Sequence, residues 1–177
     1  MPNKSKHAEL VNLSPFCSKK SANFTNPVFE ALAFNGVSMN FENRIIINAS
    51  SKKVFELYED VAKWSKWDPD VKSSSIEGKF ETGAIGKLKP ISGSESKILF
   101  SSVITDESFT VSSNLPLCEM SFEHELTSVG NNEIEVTHRV LFTGFLAPIF
   151  GRLIGSGIKK GLPHTLNGLK IAAESKS

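Results

Sequence analysis

Between Val71 and Leu141 the chain shows no helical periodicity of useful length, only short alternating runs separated by turn formers. The runs VKSSSIEGKFETG, AIGKLKPISGS, ESKILFSSVITDE, SFTVSSNLP, CEMSFEHEL and EIEVTHRVLF are divided by glycines and by the VGNN at 129–132, which mark chain reversals. The pattern predicts an antiparallel meander of about six strands, one face buried and one wet. NFENRIIINA at 40–49, β-branched and flanked by turn formers, predicts one more strand ahead of it.

Helical spacing lies on either side of the meander. Ser50 or Ser51 is placed to cap SKKVFELYEDVAKW, in which Val54, Leu57, Tyr58 and Val61 form one stripe and Lys52, Lys53, Glu56, Glu59 and Lys63 the other. This helix is expected to stop near Trp64, because Pro69 disfavours helical geometry at Asp68. The stretch from Gly144 to Glu174 is apolar enough to suggest a membrane segment, yet a spanning helix needs ~20 apolar residues all round. Here Leu146, Ile149, Phe150, Leu153, Ile154, Ile158, Leu162, Leu166, Leu169 and Ala173 share a stripe. Arg152, Ser156, Lys159, Lys160, His164, Asn167, Lys170 and Glu174 lie opposite. The expectation is one amphipathic helix of about 40 Å, bent at Pro163.

Taken in order, INASSKKVFELYEDVAKWSKWDPDV, SIEGKF, TGAIGKLKP, CEMSFEHEL, VTHRVLFTGFLAPIFG and LPHTLNGLKIAAE resemble the polyketide cyclase/dehydrase and lipid-transport family of the START-like (SRPBCC) superfamily, over roughly residues 40–174. The resemblance implies an α+β helix-grip (START-like) fold: a bent antiparallel sheet of about seven strands wrapped around a long C-terminal helix, with an internal cavity. Family members bind lipids, polyketides, sterols, plant hormones or quinones, and some catalyse cyclisation or dehydration. They share no catalytic set, so the resemblance assigns no catalytic residue to this chain and implies no cofactor.

Length and composition bound the rest. With 177 residues the chain makes one domain with a real core. Residues 1–38, rich in Ser, Asn and Lys without periodicity, are expected to be a disordered extension of a domain at 39–177, and they lack the apolar run of a secretory signal. A net charge of +1 gives no electrostatic footprint for nucleic acid. Cys17 and Cys118 lack metal-ligand spacing and a disulfide framework, and read as free thiols in a reducing, cytoplasmic setting; no metal site is expected. The oligomeric state is not legible in the sequence.

Strand parity names the inward side chains. In CEMSFEHEL, Cys118, Met120, Phe122, His124 and Leu126 share a face; in EIEVTHRVLF, Ile134, Val136, His138, Val140 and Phe142 do, leaving Glu135, Thr137 and Arg139 outside. If these strands form a hairpin, His124 and His138 are opposite or one diagonal step apart, roughly 5 to 8 Å between Cβ atoms. The pair reads as core histidines satisfied internally, as a polar anchor for a ligand, or as a general acid/base pair. Trp64 and Trp67 either rim a cavity mouth or pack a loop on the sheet. Asp68 and Asp70 read as turn residues, without the pattern of a calcium loop. The glycines at 151, 155, 157 and 161 argue for close sheet approach or cavity volume. No phosphate loop or nucleophile elbow is present.

The candidate ligand set is therefore His124, His138, Phe122, Met120, Val136, Trp67, Leu153, Ile158 and Leu162. The function expected is binding of a small hydrophobic molecule, as carrier, sequestering protein or sensor. The alternatives are a cyclase or dehydratase acting in the same cavity, and a membrane-surface or quinone-handling accessory protein. Membrane contact is the less favoured, since interior burial of the long helix outweighs attraction of its cations to lipid.

Overall fold

The computed structural model describes residues 38–175. The expected extension at 1–38 lies outside the described residues but for its last one, as does Cys17. Seven strands, β1 (Met39–Ile47), β2 (Val71–Glu77), β3 (Ile85–Pro90), β4 (Ser96–Ile104), β5 (Ser108–Leu115), β6 (Cys118–Gly130) and β7 (Glu133–Thr143), form one sheet in the order β1-β7-β6-β5-β4-β3-β2. All neighbouring pairs are antiparallel, so the meander is as the alternation predicts, with β1 closing on β7. Register shifts at Val71/Ser73, Phe100/Ser102 and Ser128/Gly130 are the bulges that bend such a sheet.

Helix α1 (Ser51–Glu59) is capped by the Ser50 side chain, which accepts from the Lys53 amide. It buries Val54, Phe55 and Tyr58 and ends earlier than expected. A 3-10 helix, Val61–Lys66, carries the chain onward and buries Val61 and Trp64. The tighter winding moves Trp64 inward, where its indole N–H donates to the Tyr58 carbonyl at 2.9 Å.

The long C-terminal helix is two helices, α2 (Ala147–Leu153) and α3 (Gly155–Glu174). The break falls at Ile154, not at Pro163, which lies inside α3. Gly155 and Gly157 weaken the helix at the break. Lys159 and Pro163 are both exposed, so water can take the carbonyl bond that the proline leaves unmade. The break leaves the helical phase in place: Ala147, Gly151, Gly155, Leu162, Leu166, Leu169 and Ala173 are buried and share one arc of about 100°. Ala147, Gly151 and Gly155 take the inner side, Gly151 against Met39 and Gly155 against Phe41, and Leu153 points outward.

The C-terminal end of α3 is tied to β1 by polar bonds. The amide and side chain of Asn48 both donate to Glu174 (2.8 and 3.0 Å), and Lys170 donates to the Ile46 carbonyl at 2.8 Å. Leu166, Leu169 and Ala173 of α3 join Val54, Phe55, Phe100 and Phe109 in the main core, while Leu162 joins Val140 and Phe142 in a second cluster.

One outward position departs from parity. Thr137 faces away from α3 as predicted but is buried. It sits between Glu135, paired with Arg44, and Arg139, which donates to Glu42 at 2.6 Å and Glu123 at 2.8 Å; these long side chains cover the shorter threonine. Among the described residues no helix is long and apolar enough to cross a membrane.

Candidate functional site

Between the concave sheet and α3 lies a cavity of about 390 Å³. Its wall is mainly apolar, with Val111, Met120 and Phe122 from the sheet and Ile154, Ile158 and Leu162 from the helices. A polar group interrupts it. The β6–β7 register places His124 directly opposite His138, with ring centroids 4.5 Å apart and planes at 75°. Tyr58, brought in by α1, shares a hydrogen bond of 2.8 Å with His138 Nε2. The His124 ring stacks on Phe109 at 4.0 Å, nearly parallel, and its Nδ1–H donates a long bond of 3.4 Å to the Phe109 carbonyl. That tautomer leaves the Nε2 lone pair free to accept.

The group is uncharged around neutral pH. Burial pushes His124 down to about 3 and holds His138 well below the usual imidazole range, where the neighbouring His124 adds to the effect. Burial raises the Tyr58 phenol, and the charge of Asp68 raises it further.

Asp68 is the second polar element of the wall. Its Oδ1 accepts from the Asp70 amide at 2.9 Å and from the Thr165 hydroxyl at 3.0 Å, fixing the loop after the 3-10 helix to α3. Oδ2 has no hydrogen-bond partner among the described residues. Burial raises the Asp68 carboxyl above the ordinary range; its two hydrogen bonds oppose that shift. Trp67 borders the cavity beside Tyr58, ring centroids 5.8 Å apart, and its buried indole N–H finds no acceptor among the described residues.

Of the candidate ligand set, His124, His138, Phe122, Met120, Trp67, Ile158 and Leu162 line the cavity. Val136 and Leu153 do not. Val136 is fully buried, paired in register between Ile45 and Leu126, and belongs to the packed core beyond the cavity. Leu153 lies about half a helical turn away from Leu162 and faces solvent. The wall also holds residues outside that set, among them Asp68, which the sequence reads as a turn residue, Tyr58, which it places on a helix face, and Phe109. Tyr58 had a legible signal, because a phenol on an otherwise apolar buried stripe needs a polar partner.

The model of the family described as polyketide cyclase/dehydrase and lipid transport matches residues 38–174, nearly the whole described region. The chain belongs to this polyketide cyclase/dehydrase and lipid-transport family. Its START-like fold recurs in solved structures. Truncated norcoclaurine synthase from Thalictrum flavum is 14% identical, covering 80% of this chain and 97% of that one, with a TM-score of 0.63. The Zhui aromatase/cyclase from Streptomyces sp. R1128 is 14% identical, covering 78% and 94%, with a TM-score of 0.62. Ara h 8.0201 is 15% identical, covering 79% and 100%, with a TM-score of 0.58. At these identities the likeness carries the fold alone. No curated protein sequence matches the chain at a significant level.

Proposed function

We propose that this member of the family binds a small, uncharged, largely apolar molecule in the cavity under α3, as a carrier, sequestering protein or sensor. One observation carries the reading: an apolar cavity of about 390 Å³ with the polar trio Tyr58, His138 and His124 on its wall. The volume is at the small end of the ~300–1,000 Å³ usual for ligand pockets. Apolar walls supply the affinity, and a few fixed polar groups orient the ligand. Because the histidines are held neutral, they offer hydrogen bonds rather than a counter-charge, which favours a hydroxyl or carbonyl over a carboxylate.

Native mass spectrometry of freshly purified protein tests this directly, with titration of 2-naphthol as a defined probe. Binding of the probe that is abolished by Met120→Trp, which fills the cavity, is the expected result. Binding unaffected by Met120→Trp sinks the reading.

A second reading, a cyclase or dehydratase, is favoured by Asp68. An imidazole pushed down to about 3 is a poor proton acceptor at neutral pH. A carboxyl raised by burial, with one oxygen unpaired on the cavity wall, is the better acid or base. Turnover of an aromatic or polyketide-like substrate that Asp68→Asn abolishes while binding persists would move this reading to first place.

A further inference from the structure

Helix α2 is amphipathic the wrong way round for a helix that serves only its own core. Its inner side is small: Ala147 is fully buried, Gly151 rests on Met39 and Gly155, just past its end, on Phe41. A Cβ at Gly151 would lie 2.7 Å from Met39 Sδ, so close approach to β1 requires that side to be small. The large apolar residues are outside. Phe145, Ile149 and Leu153, spaced by four, are 80%, 57% and 74% exposed, and the adjoining Leu117, whose carbonyl accepts from the Leu146 amide, is 71% exposed. Three large exposed side chains on one short segment, with a fourth on the adjoining turn, are more than the scattered apolar residues of an ordinary surface.

Charge identifies what the face fits. Between Glu135 and Glu174 the chain contains no acidic residue, while Arg152, Lys159 and Lys160 are exposed on α2 and the first turns of α3. Arg152 donates back to the Pro148 carbonyl at 3.3 Å, which keeps its charge alongside the apolar stripe. Large apolar side chains flanked by cations match the boundary of an anionic bilayer, where apolar groups enter the acyl region and cations meet headgroup phosphates. The carboxylates beside this face, Glu119 in register with Thr143 and Asp70 against Gly161, come from neighbouring elements. A protein partner of acidic surface would satisfy the cations but not a row of aliphatic and aromatic tips.

We infer that Phe145, Ile149 and Leu153 dock this protein on anionic lipid surfaces, with Arg152, Lys159 and Lys160 as the electrostatic partners of that contact. Ile154, Gly157 and Ile158 follow the stripe directly and line the cavity, so docking would set one cavity wall next to the lipid. This goes beyond the ligand-binding reading and stands whatever fills the cavity.

The test is flotation of the full-length chain with vesicles of phosphatidylcholine alone and of phosphatidylcholine mixed with phosphatidylglycerol. The expected result is binding to the mixed vesicles, weakened by salt and cut roughly tenfold or more in the double variant Ile149→Ser, Leu153→Ser. Lys159→Gln with Lys160→Gln should also weaken it, without touching the apolar stripe. Thermal midpoints of all variants should match the parent, because every substituted side chain is exposed. No binding of the parent to the mixed vesicles overturns the proposal, and so does a double variant that binds as the parent does. A parent that is dimeric in solution and made monomeric by Ile149→Ser, Leu153→Ser also overturns it, since the face would then be covered by a second copy.

Discussion

His124 and His138 face each other across the β6–β7 pair with their rings steeply inclined and only 4.5 Å apart, while Tyr58, with its ring 5.6 Å from that of His124, shares a hydrogen bond with His138. Two imidazoles that close cannot both be charged cheaply in an apolar wall. The folded state keeps them neutral, whereas the unfolded chain protonates them near pH ~6.5. Stability from this source is complete above that pH and is lost as pH falls from there toward about 3, the folded value of His124. Each histidine should cost up to about 1.4 kcal/mol per pH unit, or about 2 kcal/mol by pH 5, with a smaller share from His124, which keeps some surface on the cavity. Asp68, raised by burial, acts with the opposite sign as the pH drops. Urea unfolding at pH 7 and pH 5 should show the loss in the parent and a much flatter response in His124→Phe, His138→Leu.

Removing the Tyr58 hydroxyl leaves His138 Nε2 buried and unpaired. Tyr58→Phe should destabilise by about 1 to 3 kcal/mol, and His138→Leu by a similar amount, but the double variant by less than their sum. A double-mutant cycle read by chemical denaturation measures the coupling. Additive losses would mean that the bond contributes little.

Thr165 and Asp68 join α3 to the loop after the 3-10 helix. Thr165→Val should cost roughly 1 kcal/mol and raise the Asp68 carboxyl further, since the Thr165 bond lowers it. NMR titration of the Asp68 carboxyl carbon in parent and variant checks the direction.

Leu162 is buried where the cavity meets the second apolar cluster. Leu162→Asp places a carboxylate there without a partner and should abolish folding or probe binding. A folded variant that still takes up 2-naphthol would show that this part of α3 does not face the cavity.

Residues 39–177 are expected to fold without the preceding segment, as the composition of 1–38 and the span of the family match suggest. A chain shortened to that range should keep its thermal midpoint within a few degrees. A drop of more than that in differential scanning calorimetry would show the segment to be part of the stable unit.

The sheet was legible because a strand states its faces locally: alternation in β6 and β7 puts His124 and His138 on the inner side without knowledge of anything else. Parity stops there. It cannot tell a cavity wall from packed core, which is why Val136 reads the same as His138 although neighbours on both sides close over it. Helical periodicity failed at Leu153 for another reason: at about 100° per residue Leu153 lies half a turn from Leu162, so the stripe drawn from Leu146 to Ala173 spans two faces, and the buried set Ala147, Gly151, Gly155, Leu162, Leu166, Leu169 and Ala173 occupies only one. The inner face was hard to see there because beside β1 it is made of Ala147, Gly151 and Gly155 rather than of large apolar side chains.

The chain has two tryptophans and one tyrosine, and Trp64, Trp67 and Tyr58 all border the cavity. Its near-ultraviolet absorption, emission and circular dichroism therefore arise almost wholly from the cavity wall. The molecule carries an unlabelled optical reporter of its own occupancy: anything entering should shift or quench indole emission, and extracts can be screened on that signal before any ligand is known.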